Sequence, residues 1–133
     1  MSDNRNIGEA QGALVLVTEN NPVARMSLSD LLRAEGYRVL EAATHQMAIE
    51  HINRNPNLCV ILADLDIPRW PLVISYARVS LPNAFVLTMA RYGSMASVKD
   101  AEKLGAHGYF MKPLDFVDVH QTIAGLLTGK PKK

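Results

Sequence analysis

The chain holds a single cysteine, Cys59, among its 133 residues. That excludes an internal disulfide framework and any metal centre built from thiolates. No apolar run approaches the roughly 20 residues needed to cross a bilayer. Charge of one sign is also missing: the net charge is +1, so no broad field points to nucleic acid or a membrane surface. Aromatic residues make up only 6%, with one tryptophan, Trp70. There is no glycine-rich phosphate loop, because Gly105 to Gly108 follows a helical pattern and precedes a strand, the reverse of the required order. Ser75 and Ser94 lack the strand-turn-helix setting of a nucleophile elbow. His45, His51, His107 and His120 show no ligand spacing and read as surface residues. The start, MSDNRNIGEAQG, is polar and mixed in charge, unlike a signal or transit peptide. These absences together predict a soluble cytoplasmic protein without nucleic-acid or membrane binding.

What is present is ordinary globular composition, 48% apolar and 20% charged, at a length suited to one domain. The expected organisation is a flexible extension over 1–12, one domain over 13–128, and a flexible basic tail over 129–133. Within the domain, short apolar runs alternate with helical patterns. Ala13 to Val17 reads as a strand buried on both faces. Asn21-Pro22 starts a helix carrying Ala24, Leu28, Leu31 and Leu32, ended by Gly36. Tyr37 to Leu40 is a second strand, and Thr44 caps a helix through about Asn53 with Ala48, Ile49 and Ile52 inward. A third strand runs from Leu58 into Asp64. Pro71 opens a helix with Leu72, Val73, Tyr76 and Val79 as its apolar stripe. Ala84 to Leu87 is a fourth strand ending at Thr88. Ser94 caps a helix with Val98, Ala101 and Leu104, and Gly108 to Met111 is the fifth strand. Asp115 caps a last helix with Phe116, Val119, Ile123, Leu126 and Leu127 in one stripe. Five strands alternating with five helices predict an α/β fold, a doubly wound parallel sheet with helices on both faces.

Ligands of such sheets bind at the carboxyl ends of the strands. Glu19 and Asn20 follow the first strand, Asp64 and Asp66 the third, Thr88 the fourth and Lys112 the fifth. Carboxylates brought close together repel, and a hard divalent cation such as Mg²⁺ relieves that while keeping several waters. A lysine and a hydroxyl beside them suit a phosphoryl group, whose oxygens take a point charge and a donor.

In order and spacing these marks resemble the receiver domain of bacterial two-component response regulators, including the single-domain chemotaxis type, over about Ala13 to Leu127. LVTENNPVAR resembles the first strand and acidic pair, with Glu19 and Asn20 at the two acidic positions. ADLDIP resembles the phosphoacceptor segment, with Asp64 as the aspartate and Pro68 four residues on. VLTMA puts Thr88 at the switch threonine, and GAHGYFMKPLD puts Tyr109 at the aromatic switch position and Lys112 at the lysine. Pro113 falls at the usual cis proline. The resemblance implies a flavodoxin-like fold with strand order 2-1-3-4-5. It also implies phosphoryl transfer to Asp64 from a sensor histidine kinase or histidine phosphotransfer protein, with Mg²⁺ held by Glu19, Asn20, Asp64 and Asp66. Lys112 would steady the phosphoryl oxygens, and Thr88 and Tyr109 would switch a face that binds a downstream protein effector. A monomer or weak homodimer is expected.

Three departures bear on that expectation. Asn20 is neutral where the family has an acid, which weakens a charge-dependent Mg²⁺ site; the Asp66 side chain either restores the charge or points to solvent. Arg69-Trp70-Pro71 shortens the segment between Asp64 and Thr88, and Trp70 covers either the site or the edge of the core. Met89 stands where a small residue is usual and would restrict access to the site. Two functions follow: a phosphorylated switch that is no metabolic enzyme, or a pseudo-receiver that binds protein independently of phosphorylation.

Overall fold

The computed structural model describes residues 12–129. Of the expected extension and tail, all but Gly12 and Gly129 lie outside those residues. Gly12 is tied in, its N–H donating to the Gly36 carbonyl at 2.7 Å, and Gly129 caps the last helix.

Ten elements alternate along the chain: β1 (Leu14–Thr18), α1 (Pro22–Ala34), β2 (Arg38–Ala42), α2 (His45–Arg54), β3 (Leu58–Asp64), α3 (Trp70–Ser80), β4 (Phe85–Ala90), α4 (Met95–Lys103), β5 (Gly108–Met111) and α5 (Phe116–Thr128). The strands form one parallel sheet in the order β2-β1-β3-β4-β5. Local chemistry starts the helices where the sequence indicates. Asn21 accepts from the Ala24 N–H at 3.0 Å with Pro22 behind it, Thr44 accepts from Met47 N–H, and Asp115 accepts from the N–H groups of Val117 and Asp118. Each satisfies an N–H that has no partner inside its own helix. Ser94 holds the cap position of α4 without a side-chain bond. Gly105 ends the α4 turn at φ +109°, where a Cβ would also stand 2.9 Å from the Arg78 side chain.

The two faces of the sheet bury separate cores. Leu14, Leu16, Ile61 and Ala63 pack with α2, α3 and α4 through Ala48, Ile52, Ile74, Ala77 and Val98. Val15, Val17, Val60 and Leu62 pack with α1 and α5 through Leu28, Leu32, Val119 and Ile123. The register slips by one residue where Leu14 faces Leu58 but Val15 faces Val60, which leaves Cys59 as the extra residue of β3.

The stripe expected on α3 is corrected by the structure. Val73, Ile74 and Ala77 are buried, whereas Leu72 and Val79 are exposed. The helix is apolar on most sides, so its pattern offers two stripes, and the one containing the small Ala77 faces the sheet. Met89 is also corrected as an access gate: it is fully buried in the cluster with Val17, Leu62 and Phe110. It is register partner to Asp64 and so forms a floor rather than a flap. Trp70, the first residue of α3, packs partly buried against the core, covering its edge. Among the described residues no helix is long and apolar enough to cross a membrane.

Candidate functional site

Strand order β2-β1-β3 puts the reversal of direction between β1 and β3, and a crevice opens there at the carboxyl ends. Asp64 is the last residue of β3 and has no exposed surface. Its position is fixed from below by Thr18, a residue to which the sequence assigned no role. The Thr18 hydroxyl donates to the Leu62 carbonyl at 2.7 Å and accepts from the Asp64 N–H at 3.2 Å, tying the ends of β1 and β3 together. Both Asp64 oxygens are bonded. Oδ1 accepts from the Asp66 N–H at 2.8 Å and from Lys112 Nζ at 3.0 Å; Oδ2 accepts, among the described residues, only from the Asn20 N–H, at 3.1 Å.

Lys112 is the hub. Its Nζ lies 2.9 Å from Glu19 Oε1, 3.0 Å from Asp64 Oδ1 and 3.3 Å from Asp66 Oδ2. The peptide bond from Lys112 to Pro113 is cis. The structure therefore brings together Glu19, Asp64, Asp66 and Lys112, and the Asp66 side chain turns into the cleft rather than to solvent. Asn20 reaches Asp64 through its backbone, and its side chain is exposed. Glu19 is held by the Asn21 N–H at 3.0 Å on its second oxygen, and Arg25 donates to its backbone carbonyl at 2.8 Å.

Thr88 and Tyr109 stand apart from this cluster. Thr88 is buried opposite Ala63 and Tyr109 in the sheet, one pleat before the Asp64 level, and its hydroxyl donates to the Gly108 carbonyl at 3.4 Å. Tyr109 is 43% exposed. One further charged residue, Arg91, joins the cleft from the segment after β4, with Nε 2.8 Å from Asp66 Oδ1. Nothing in its sequence position signals this, because it lies in a connection without periodicity.

Charge and burial oppose each other here. Burial pushes the Glu19 carboxyl above its ordinary value, and the nearby Asp64 charge adds to that, against the pull of the Asn21 N–H and Lys112. Burial alone would lower the Lys112 ammonium, but its bonds to Glu19 and Asp64 outweigh that and hold it above its ordinary value. Among the described residues no three acidic, histidine or cysteine side chains close around one point as a cage for a metal ion. Mg²⁺ needs no such cage, since it binds through one or two carboxylates, waters and phosphate oxygens. The donor set fits that open type of site. Above the acids lies a cleft of about 630 Å³ lined by Glu19, Asn20, Asp66, Arg91 and Lys112, with Val23 at its rim.

The family described as the response regulator receiver domain matches residues 15–124. "Sporulation initiation phosphotransferase F" of Bacillus subtilis is 25% identical over 119 residues, covering 87% of this chain and 94% of that protein. A receiver domain protein from Clostridium thermocellum has a similar structure, with a TM-score of 0.82 and 21% identity over 88% of this chain and 95% of that one. So does the receiver domain of Saccharomyces cerevisiae Ssk1, solved in complex with the histidine phosphotransfer protein Ypd1; the TM-score is 0.76, with 19% identity over 87% and 89% of the two chains. On the extent of the family match and the convergence of its acidic cluster on Lys112, this chain belongs to the response regulator receiver domain family.

Proposed function

We propose that the chain is a phosphoacceptor switch, taking a phosphoryl group on Asp64 and signalling through protein contact. The observation that carries this reading is the buried Asp64 with a singly bonded Oδ2, beside a lysine and two further carboxylates. A buried acid with a free lone pair serves no packing role, and a rigid strand end holds it for attack.

In the proposed step, Asp64 Oδ2 forms a bond to phosphorus while the bond from phosphorus to the donor's leaving atom breaks. The leaving group is a histidine nitrogen or the acetate of acetyl phosphate, and it departs with the electron pair. Lys112 loosens from Asp64 and holds the phosphoryl oxygens as a point charge. Glu19, Asp64 and Asp66, with Asn20 alongside, would hold Mg²⁺, which when bound neutralises charge on the transferring group. Thr88 breaks its weak bond to Gly108 and turns its hydroxyl toward the acyl phosphate, and Tyr109 moves from its exposed position into the space behind it. That pair of movements biases the face formed by α4, β5 and α5, to which an effector binds. The donor is a histidine kinase or a histidine phosphotransfer protein, the second being the class of protein bound to the Ssk1 receiver domain. Val23, Met26 and Leu31 expose apolar surface on α1, whose first turn borders the cleft, and offer a place for it to dock. Cytoplasmic placement fits such a donor.

A second reading, a pseudo-receiver that binds partners without phosphorylation, is favoured by one observation: Asp64 is wholly covered while Lys112 occupies the centre of the acids. Intact-mass measurement after incubation with acetyl phosphate separates the two. An adduct of one phosphoryl group that requires both Mg²⁺ and Asp64, and is absent in Asp64→Asn, supports the switch. If no adduct forms and beryllofluoride does not bind, the pseudo-receiver stands.

A further inference from the structure

We propose that Arg91 is a phosphoryl-binding residue of this cleft and that Asp66 is the positioning residue that holds it there. The inference rests on the phosphoacceptor reading of Asp64 and adds a ligand for the transferred group.

The geometry of one ion pair carries it. Arg91 Nε donates to Asp66 Oδ1 at 2.8 Å, and the other Asp66 oxygen faces Lys112 at 3.3 Å. Both oxygens of Asp66 are thus engaged by cations, which fixes the carboxylate that anchors Arg91. A guanidinium has five N–H donors, and the bond to Asp66 uses one. The terminal amino groups of Arg91 make no hydrogen bond or ion pair with any described residue, and the side chain is 71% exposed while lining the cleft. An arginine anchored at Nε, with its terminal donors unfilled beside a lysine, presents the planar fork that phosphate oxygens match. Anchoring also removes part of the conformational freedom that an exposed arginine would lose on binding.

Charge points the same way. Glu19, Asp64 and Asp66 against Lys112 and Arg91 leave the cleft with one surplus negative charge. A divalent cation turns that into a surplus positive charge, which suits a dianionic phosphoryl group. Without Arg91 the loaded cleft would be neutral and would attract the group less. The residue lies on the connection between β4 and α4, next to the segment that carries Thr88. A phosphoryl group held by Arg91 is therefore tied to the part of the fold that the switch must move.

The test is titration with beryllofluoride, followed by ¹⁹F NMR at saturating Mg²⁺, on wild type, Arg91→Gln, Arg91→Lys, Asp66→Asn and the double variant Asp66→Asn with Arg91→Gln. Mg²⁺ affinity is measured alongside by calorimetry. Arg91→Gln should weaken beryllofluoride about tenfold without weakening Mg²⁺, and Arg91→Lys should recover part of the loss. The double variant should lose less relative to Asp66→Asn than Arg91→Gln loses relative to wild type, because Asp66 anchors the fork while the charge of Arg91 acts with or without it. With acetyl phosphate as donor, Arg91→Gln should raise KM and leave the maximal rate nearly unchanged. Beryllofluoride affinity equal to or tighter than wild type in Arg91→Gln would overturn the proposal and leave Arg91 as a counter-ion only. Additive losses in the double variant would overturn the positioning role of Asp66. If wild type itself fails to bind beryllofluoride, the phosphoacceptor reading falls, and this inference with it.

Discussion

Thr18 offers a sharp test of how the site is built. Its hydroxyl has no exposed surface and joins two strands through the Leu62 carbonyl at 2.7 Å and the Asp64 N–H at 3.2 Å. Thr18→Val keeps the shape and removes both bonds, leaving buried backbone groups without that partner. At about 1 kcal/mol for each lost bond, with some additional cost for the stranded groups, the loss should be about 2 kcal/mol or slightly more. Thr18→Ser keeps the hydroxyl and removes one methyl, for about 1 kcal/mol. In a domain of this size the valine variant should melt roughly 8 °C lower. Urea unfolding should show a lower midpoint with unchanged slope, the mark of altered stability rather than altered compactness. The Asp64 carboxylate should also lose its fixed position, so beryllofluoride should bind the valine variant more weakly than the serine variant. If valine costs no more than serine on both measures, the hydroxyl bridge does not hold the site and the reasoning is wrong.

Three further outcomes are expected. Asn20→Asp places a carboxylate on an exposed side chain beside the buried acids; calorimetry should show Mg²⁺ binding about tenfold tighter, and the melting temperature without Mg²⁺ should fall through like-charge repulsion. The Glu19 carboxyl, raised in the folded state by burial, keeps its proton to higher pH than in the unfolded chain. Folding stability is therefore lost as pH rises above about 4.5. Added Mg²⁺ should offset that loss, so its thermal stabilisation should grow from pH 4.5 toward neutral; a pH-independent shift in melting temperature would exclude Glu19 from the site. His107, lowered by burial and by the charge of Arg78, accepts the Val86 N–H on Nδ1 and is neutral in the fold. The unfolded chain takes up the proton first, so the His107 contribution to stability should be complete above about pH 6.5 and decline below it. His107→Gln should flatten that part of the stability profile, and an unchanged profile would assign the decline to other groups.

The sequence by itself determined the order of elements and what stands at the strand ends. Apolar runs too short for helices could only be strands of a sheet covered on both faces, and Asn21-Pro22, Thr44 and Asp115 mark helix starts through bonds to N–H groups two or three residues away. Such signals are local, so they survive without knowledge of the fold. Glu19, Asp64 and Lys112 were legible for a related reason: in a parallel sheet all carboxyl ends lie on one side, so residues that follow strands must gather. Tertiary structure decided the rest. Asp66 turns inward against both Lys112 and Arg91, and Arg91, 25 positions away, comes alongside only because β4 lies next to β3. The role of Thr18 depended on β1 and β3 being neighbours, a pairing that no local pattern records. On α3 the apolar residues outnumber the places available on one face, and the choice fell to the close approach that Ala77 allows against the sheet. Met89 became floor rather than gate because its register opposite Asp64 turned it into the core. Periodicity shows that a side is apolar; only packing selects which side is covered and which charged groups meet.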